Sequence, residues 1–69
     1  MITYEPLRII LRERGISYRQ LRRDIGIHPT TATHLKNDTG YVTLQTIDLL
    51  CAYLDVPIEQ IVAYVDDVR

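Results

Sequence analysis

Residues 17–35, SYRQLRRDIGIHPTTATHL, decide the fold of this chain of 69 residues. Tyr18, Leu21 and Ile25 recur at i, i+3 and i+7, a spacing that predicts a short helix with one apolar face. Gly26 is placed to end that helix, and Pro29 suits the first turn of another. The stretch therefore predicts two short helices joined by a tight turn.

The second of these predicted helices has a polar outer face. Ala32 and Leu35 fall on its inner side. Its outer stripe, at i, i+3, i+4 and i+7, consists of short hydrogen-bonding side chains: Thr30, Thr33, His34 and Asn37. Two helices at a steep angle, with a polar face on the second, are typical of proteins that place a helix in the major groove of DNA.

The flanking segments predict more helices and no alternating strands. Pro6 suits a helix start, and Ser17 with Gln20 is predicted to form a capping box at the start of the next helix. Thr43 suits the N-cap of a longer helix, and the apolar spacing after Pro57 predicts a short last one. We predict an all-α fold of five helices in a single domain, residues 1–69, with helices at about 6–14, 17–25, 29–37, 44–54 and 58–64.

The composition is that of a soluble globular protein, with 46% hydrophobic and 25% charged residues. The single cysteine, Cys51, cannot form an internal disulfide, and its position in LLCAYL predicts a buried structural thiol. No apolar run is long enough for a membrane span, and no leader pattern is visible. We therefore expect a cytoplasmic protein without a membrane partner.

Charge is distributed unevenly along the chain, although the net charge is only -1. Residues 1–37 contain seven Arg and Lys against three acidic residues, a net charge of +4. Residues 38–69 contain one Arg against six acidic residues, a net charge of -5. This asymmetry suits a protein with one anion-facing side, and solvated helix faces are the alternative interpretation.

The motif S-x3-L-x3-IGI of residues 17–27, followed by Thr31 and Leu35-Lys36-Asn37, resembles a known family. The family is that of the Cro and phage-repressor-like helix-turn-helix proteins, also called the XRE family. The resemblance extends over about residues 7–64, because residues 44–61, LQTIDLLCAYLDVPIEQI, are similar to the family's ending. It implies a lambda-repressor-like DNA-binding domain of five helices, with the helix-turn-helix at helices 2 and 3.

The resemblance also implies which residues contact double-stranded DNA. Base contacts are expected from the start and outer face of the third helix: His28, Pro29, Thr30, Thr33 and His34. Phosphate contacts are expected from the start of the second helix and the turn after the third: Ser17, Tyr18, Lys36, Asn37, Thr39 and Tyr41. Arg19 and Arg23, spaced i, i+4 on the second helix, are further phosphate candidates, with a solvated face as the alternative.

The chain departs from the family pattern at three positions. Arg22 stands where the family prefers a small residue, and Ala32 stands where it prefers Ile or Val. We hypothesise that the stem of Arg22 fills the space beside Ala32 while its charged head reaches solvent. Pro29 replaces a long polar reader, so bidentate base contacts are scarce and DNA shape becomes a candidate source of specificity.

Two functions follow from the sequence. The first is a small DNA-binding transcriptional regulator, expected to be a repressor, that binds as a homodimer. The alternative is a protein-interaction module on the same fold, such as an antirepressor or an antitoxin-like partner. We predict no enzyme, cofactor or small-molecule ligand, and no metal site, because His28 and His34 are six apart without a partner at ligand spacing.

Overall fold

The computed structural model describes residues 1–66, which contain four α-helices, one short 3₁₀ helix and a two-stranded sheet. The helices are α1 (Glu5–Arg14), α2 (Tyr18–Ile25), α3 (Pro29–Asn37) and α4 (Leu44–Leu54), followed by the 3₁₀ helix Ile58–Gln60. The strands are β1 (Ile2–Thr3) and β2 (Ala63–Tyr64). None of the helices in this part of the chain is long and apolar enough to cross a membrane.

The core is built from the apolar stripe of each helix. Its fully buried side chains come from all four helices and from the residue after the 3₁₀ helix: Leu7, Leu21, Leu35, Leu50, Leu54 and Ile61. Cys51 is half-buried against this core rather than fully enclosed. Because α2 and α3 each bury a single leucine-centred face, their other faces stay in solvent.

Local capping holds α2 and α4 at their first turns. Ser17 Oγ accepts a hydrogen bond from the backbone N–H of Gln20 at 3.1 Å, and Thr43 Oγ1 accepts one from Thr46 at 3.1 Å. The reciprocal half of the predicted capping box does not form. The Gln20 amide instead donates to the Tyr53 hydroxyl at 3.5 Å, which joins α2 to α4.

The prediction of a fifth helix at residues 58–64 is wrong. The chain there makes one 3₁₀ turn and then the strand β2, which pairs with β1 in antiparallel register, Ile2 with Tyr64 and Thr3 with Ala63. The count of five helices is corrected to four, and the fold is mostly helical with one small sheet in the part of the chain that the structure describes. The segment after the turn, Val-Ala-Tyr-Val, is rich in β-branched and aromatic residues that favour a strand once a partner is present. That partner lies at the other end of the chain.

The small sheet positions the start of α1. Thr3 is the buried member of β1, and the next residue, Tyr4, has an exposed fraction of only 2%. The side chains of both residues are hydrogen-bonded to the turn that follows α3. This turn and the two helices before it form the surface described next.

Candidate nucleic-acid interface

The start of α3 presents an imidazole with a defined orientation. His28 is the N-cap of α3, and its Nδ1 accepts a hydrogen bond from the backbone N–H of Thr30 at 3.1 Å. In its neutral form the ring therefore carries its proton on Nε2, which points away from the backbone contact. His28 is exposed, so this N–H is available as a donor to an acceptor outside the protein.

The outer face of α3 offers short polar groups. Pro29, Thr30 and Thr33 are all exposed. The Thr33 hydroxyl donates back to the carbonyl of Pro29 at 3.1 Å, so its proton is used inside the helix. Thr33 consequently offers its methyl group and its oxygen lone pairs, which suit a thymine methyl or a base amino group.

His34 occupies a different environment from the other predicted base contacts. Its ring is half-buried and lies against the backbone of Gly40, because a Cβ built on Gly40 would be 2.8 Å from His34 Cε1 and Nε2. The ring therefore packs inside the turn after α3. Its role as a base contact stays a prediction, and its contact with Gly40 identifies it as a support for that turn.

A substitution at Gly40 is expected to disturb this support. Gly40→Ala places a methyl group where the His34 ring lies, and we expect a loss of about 1 kcal/mol in the free energy of unfolding, the lower end of overpacking costs. In the background His34→Ala the same change is expected to cost close to zero, because the obstructing ring is gone. Urea unfolding of both single variants and the double variant measures this coupling, and an equal cost in both backgrounds would contradict the contact.

The start of α2 and the end of α3 meet at a tyrosine and a lysine. Lys36 Nζ lies 5.3 Å from the centroid of the Tyr18 ring, a cation–π distance. Partial burial raises the pKa of Tyr18 above its ordinary value, so its hydroxyl remains a proton donor well beyond neutral pH. Ser17 directly precedes this tyrosine and is exposed. Three predicted phosphate contacts are thus brought together.

The turn after α3 is held by a carboxylate that the sequence did not reveal as important. Asp38 adopts a left-handed backbone with φ of 56° and ends α3. Its carboxylate accepts from Thr3 Oγ1 at 2.8 Å, from the Tyr4 backbone N–H at 2.8 Å, and from Arg8 Nη1 at 2.9 Å. Arg8 also donates to the carbonyl of Leu35 at 2.8 Å. We call the residues Thr3, Tyr4, Arg8 and Asp38 the N-terminal clamp.

Tyr4 extends the N-terminal clamp to the rest of the turn. Its hydroxyl donates to the carbonyl of Gly40 at 3.3 Å and accepts from the backbone N–H of Val42 at 3.1 Å. The turn is therefore fixed at its start, middle and end by the segment before α1. The three other predicted phosphate contacts near this turn lie on it or at its border: Asn37, Thr39 and Tyr41.

Electrostatics within the N-terminal clamp favour the charged forms of both partners. The hydrogen bonds from Arg8 hold the pKa of Asp38 well below its usual range, and the bond from the Tyr4 backbone adds to this effect. The same ion pair raises the pKa of Arg8, with Asp38 as the main cause. The side chains are only 20% exposed for Arg8 and 17% for Asp38, so solvent screens the pair weakly.

The remaining predicted phosphate contacts, Arg19 and Arg23, are exposed residues of α2. They line one open cleft together with Arg22, Gly26 and Ile27. Arg22 is exposed and Ala32 is buried, with an exposed fraction of 6%. The charged head of Arg22 therefore faces solvent, while contact between its stem and Ala32 stays a prediction.

The chain is similar to known proteins both in its sequence and in its fold. The model of the Cro/C1-type HTH DNA-binding domain matches residues 6–67. The chain belongs to this family. No curated protein matches it. A crystal structure of the transcriptional regulator VanUg matches with a TM-score of 0.85 and 23% identity, covering 96% of this chain and 87% of that chain.

The match to VanUg supports the fold of the Cro/C1-type domain described above. The predicted resemblance to Cro and phage-repressor-like proteins is confirmed by the family match. The two helices predicted to form the helix-turn-helix correspond to α2 and α3. Within residues 1–66, no group of three His, Cys, Asp or Glu side chains is arranged to hold a metal ion.

Sequence reasoning missed the N-terminal clamp of this Cro/C1-type domain. Asp38 is separated from Arg8 by 30 positions and from Thr3 by 35. A local pattern cannot show such contacts. The one available signal was an aspartate followed closely by Gly40 in a turn, which indicates a turn but not its partners.

Proposed function

We propose that the protein is a transcriptional regulator that inserts α3 into the major groove of double-stranded DNA. One observation carries this proposal: α3 has an exposed polar face, and cationic side chains lie near both of its ends. Lys36 beside Tyr18 lies toward its end, and the arginine cleft of α2 adjoins the turn before its start. A helix in the major groove needs this arrangement, because phosphates border the groove on both sides.

Base reading is assigned to the first two turns of α3. The Nε2–H of His28 is suited to an acceptor such as guanine O6 or N7. Thr30 supplies a hydroxyl, and Thr33 supplies a methyl group and lone pairs. Pro29 has no N–H to offer and contributes apolar contact, and the half-buried His34 is the remaining candidate for a base contact. Since none of these groups makes a bidentate contact, DNA shape supplies part of the specificity.

Phosphate binding is assigned to hydroxyl, amide and cationic groups around α3. Ser17 and Tyr18 contact one strand at the start of α2, with Lys36 beside them. The turn after α3 provides Asn37, Thr39 and Tyr41. These groups fix the register of α3, and the N-terminal clamp fixes the turn.

Tyr18 allows the phosphate contact to be separated from packing. Tyr18→Phe keeps the ring beside Lys36 and removes only the hydroxyl, so we expect unchanged stability. The affinity for duplex DNA is expected to fall by roughly threefold to tenfold, the worth of about one hydrogen bond. Tyr64→Phe, at a tyrosine that is 73% exposed on β2, is the matched control. Fluorescence anisotropy measures both, and equal affinities for the two variants would contradict the assignment of Tyr18.

We further propose that the protein acts as a homodimeric repressor. A single small module buries little DNA surface, and linking two modules multiplies their affinities through effective concentration. A two-fold dimer would recognise a palindromic site whose halves are about one helical turn apart. Light scattering with and without DNA tests the dimer, and a promoter reporter tests repression.

Selection from random duplex DNA at low salt tests the main proposal. The result expected is an enriched motif with palindromic halves and an affinity that falls steeply with salt. If no motif is enriched and no binding is detected, the proposed DNA-binding function is wrong.

A second function is favoured by the charge of residues 38–66, which contain no Lys or Arg. An acidic surface suits binding to a basic protein, as in an antirepressor or an antitoxin-like partner. Failure of DNA selection, together with a stable complex with a basic protein partner, would support this alternative. If a DNA motif is enriched instead, the acidic surface is assigned to the side of the protein that faces away from DNA.

A further inference from the structure

The α2 helix carries a cleft lined by three arginines. Arg19, Arg22 and Arg23 line it together with Gly26 and Ile27, and its volume is about 520 Å³. All three arginines are exposed. Among the described residues only Arg23 has an acidic partner, its neighbour Asp24 at 3.2 Å. The cleft therefore has an uncompensated positive charge.

The carboxylate of Asp24, the partner of Arg23, is also bound by another helix. Asp24 accepts a hydrogen bond from the Tyr53 hydroxyl at 2.5 Å, and this bond lowers the pKa of Asp24 more than Arg23 does. Arg23 itself remains 70% exposed despite the ion pair. The guanidinium groups are thus free to bind an anion from outside the molecule.

The cleft borders the start of α3. Gly26 and Ile27 directly precede His28, the N-cap of α3. At the other end of this helix, Lys36 packs on Tyr18. Cationic side chains therefore lie near both ends of α3, where phosphates border a groove that the helix enters.

We propose that this cleft is a phosphate-binding site for the DNA backbone, with Arg22 as its additional ligand. A guanidinium donates two parallel hydrogen bonds to phosphate oxygens, which a small residue at this position cannot do. The family resemblance assigns a small residue here, so Arg22 is a feature of this chain rather than a contact carried over from the family. The inference rests on the proposed DNA binding and adds a second group of phosphate contacts to it.

Salt dependence of DNA binding tests the role of Arg22. The full chain, Arg22→Ala, Arg22→Lys and the control Arg12→Ala are titrated with a labelled duplex over a range of KCl concentrations. Arg12 is an exposed arginine on α1, so the control matches the loss of one positive charge. We expect Arg22→Ala to reduce affinity about threefold to tenfold at low salt and to make the slope of log K against log salt less negative by about 0.9.

The other variants distinguish a direct contact with phosphate from the loss of a positive charge elsewhere on the protein. Arg22→Lys is expected to restore the slope and part of the affinity, while Arg12→Ala keeps the slope of the unmodified protein. A slope for Arg22→Ala equal to that of Arg12→Ala would overturn the inference while leaving DNA binding intact. Absence of DNA binding by the unmodified protein would overturn both the inference and the proposed function.

A competition arm tests whether the occupant is DNA or an acidic protein. Polyglutamate, at a charge concentration equal to that of the duplex, is added to the preformed complex. We expect it to displace the duplex only weakly, because a flexible polyanion reproduces neither the base contacts of α3 nor the fixed spacing of the duplex phosphates. Displacement as efficient as that by unlabelled duplex would overturn the assignment of the cleft to DNA.

Discussion

Asp38→Asn is expected to lower the free energy of unfolding by about 2–3 kcal/mol, a large fraction of the stability of a domain this small. The substitution removes the charge that Arg8 faces, and leaves its guanidinium only partly compensated. The asparagine keeps the shape of the side chain and tolerates the left-handed backbone at this position. The cost is therefore assigned to the ion pair and its hydrogen bonds. We expect a smaller loss in the free energy of unfolding than for a fully buried ion pair, because both side chains are partly exposed.

Asp55→Asn is a closely matched control for this variant. Asp55 also ends a helix, α4, with the same left-handed φ of 56°, but it is exposed and has no side-chain hydrogen bond among the described residues. We expect a change within about 0.5 kcal/mol. Urea unfolding followed by circular dichroism measures both variants, and equal costs for the two would contradict the role of the N-terminal clamp.

The ion pair also predicts a pH dependence. The pKa of Asp38 is lower in the folded protein than in the unfolded chain, so its stabilising contribution is complete above about pH 5. It is lost as the pH falls below the ordinary carboxyl pKa of about 4 and toward the lower value in the folded state. The unmodified protein is therefore expected to lose more stability between about pH 5 and pH 2 than Asp38→Asn does. Parallel loss in both proteins would contradict this assignment.

Thr33→Glu is expected to reduce the affinity for the selected DNA at least 100-fold, about 2.7 kcal/mol in binding free energy. Thr33 lies on the exposed face of α3, so a carboxylate there would enter the groove between the phosphates. The fold is expected to persist, because the Thr33 hydroxyl bonds only to the Pro29 carbonyl of its own helix among the described residues. Glutamate also favours helices.

Ala52→Glu makes the same change of charge on α4, at an exposed residue outside the proposed interface. Its affinity for DNA is expected to stay within about threefold of the unmodified protein. Anisotropy titrations at one salt concentration compare the two variants, and circular dichroism checks their folds. Affinity of Thr33→Glu close to that of Ala52→Glu would show that α3 does not enter the groove.

Part of the fold could be predicted from the sequence because its determinants are local. The apolar spacing of Leu21 and Ile25 and the cap at Ser17 define α2 without reference to the rest of the chain. The prediction of a fifth helix was wrong because the alternative, the strand β2, depends on pairing with β1 at the opposite end of the chain. Local periodicity cannot represent such pairing.

The candidate site was predictable to a similar extent. The exposed face of α3 follows from the positions of Thr30 and Thr33 relative to the core residue Leu35. The packing of His34 on Gly40 does not follow from the sequence, since it requires the path of the turn after α3. That path is fixed by the hydrogen bonds of Tyr4 and Asp38, which join distant parts of the chain.

We propose that α3 lies in the major groove with its exposed face on the base edges. Dimethyl sulfate protection of the selected duplex tests it most directly, because this reagent methylates guanine N7 in the major groove and adenine N3 in the minor groove. Insertion of α3 predicts protection of guanine N7 in each half-site, and loss of that protection with Thr33→Glu. A bound complex that protects only adenine N3, or that leaves every guanine N7 reactive, would contradict it.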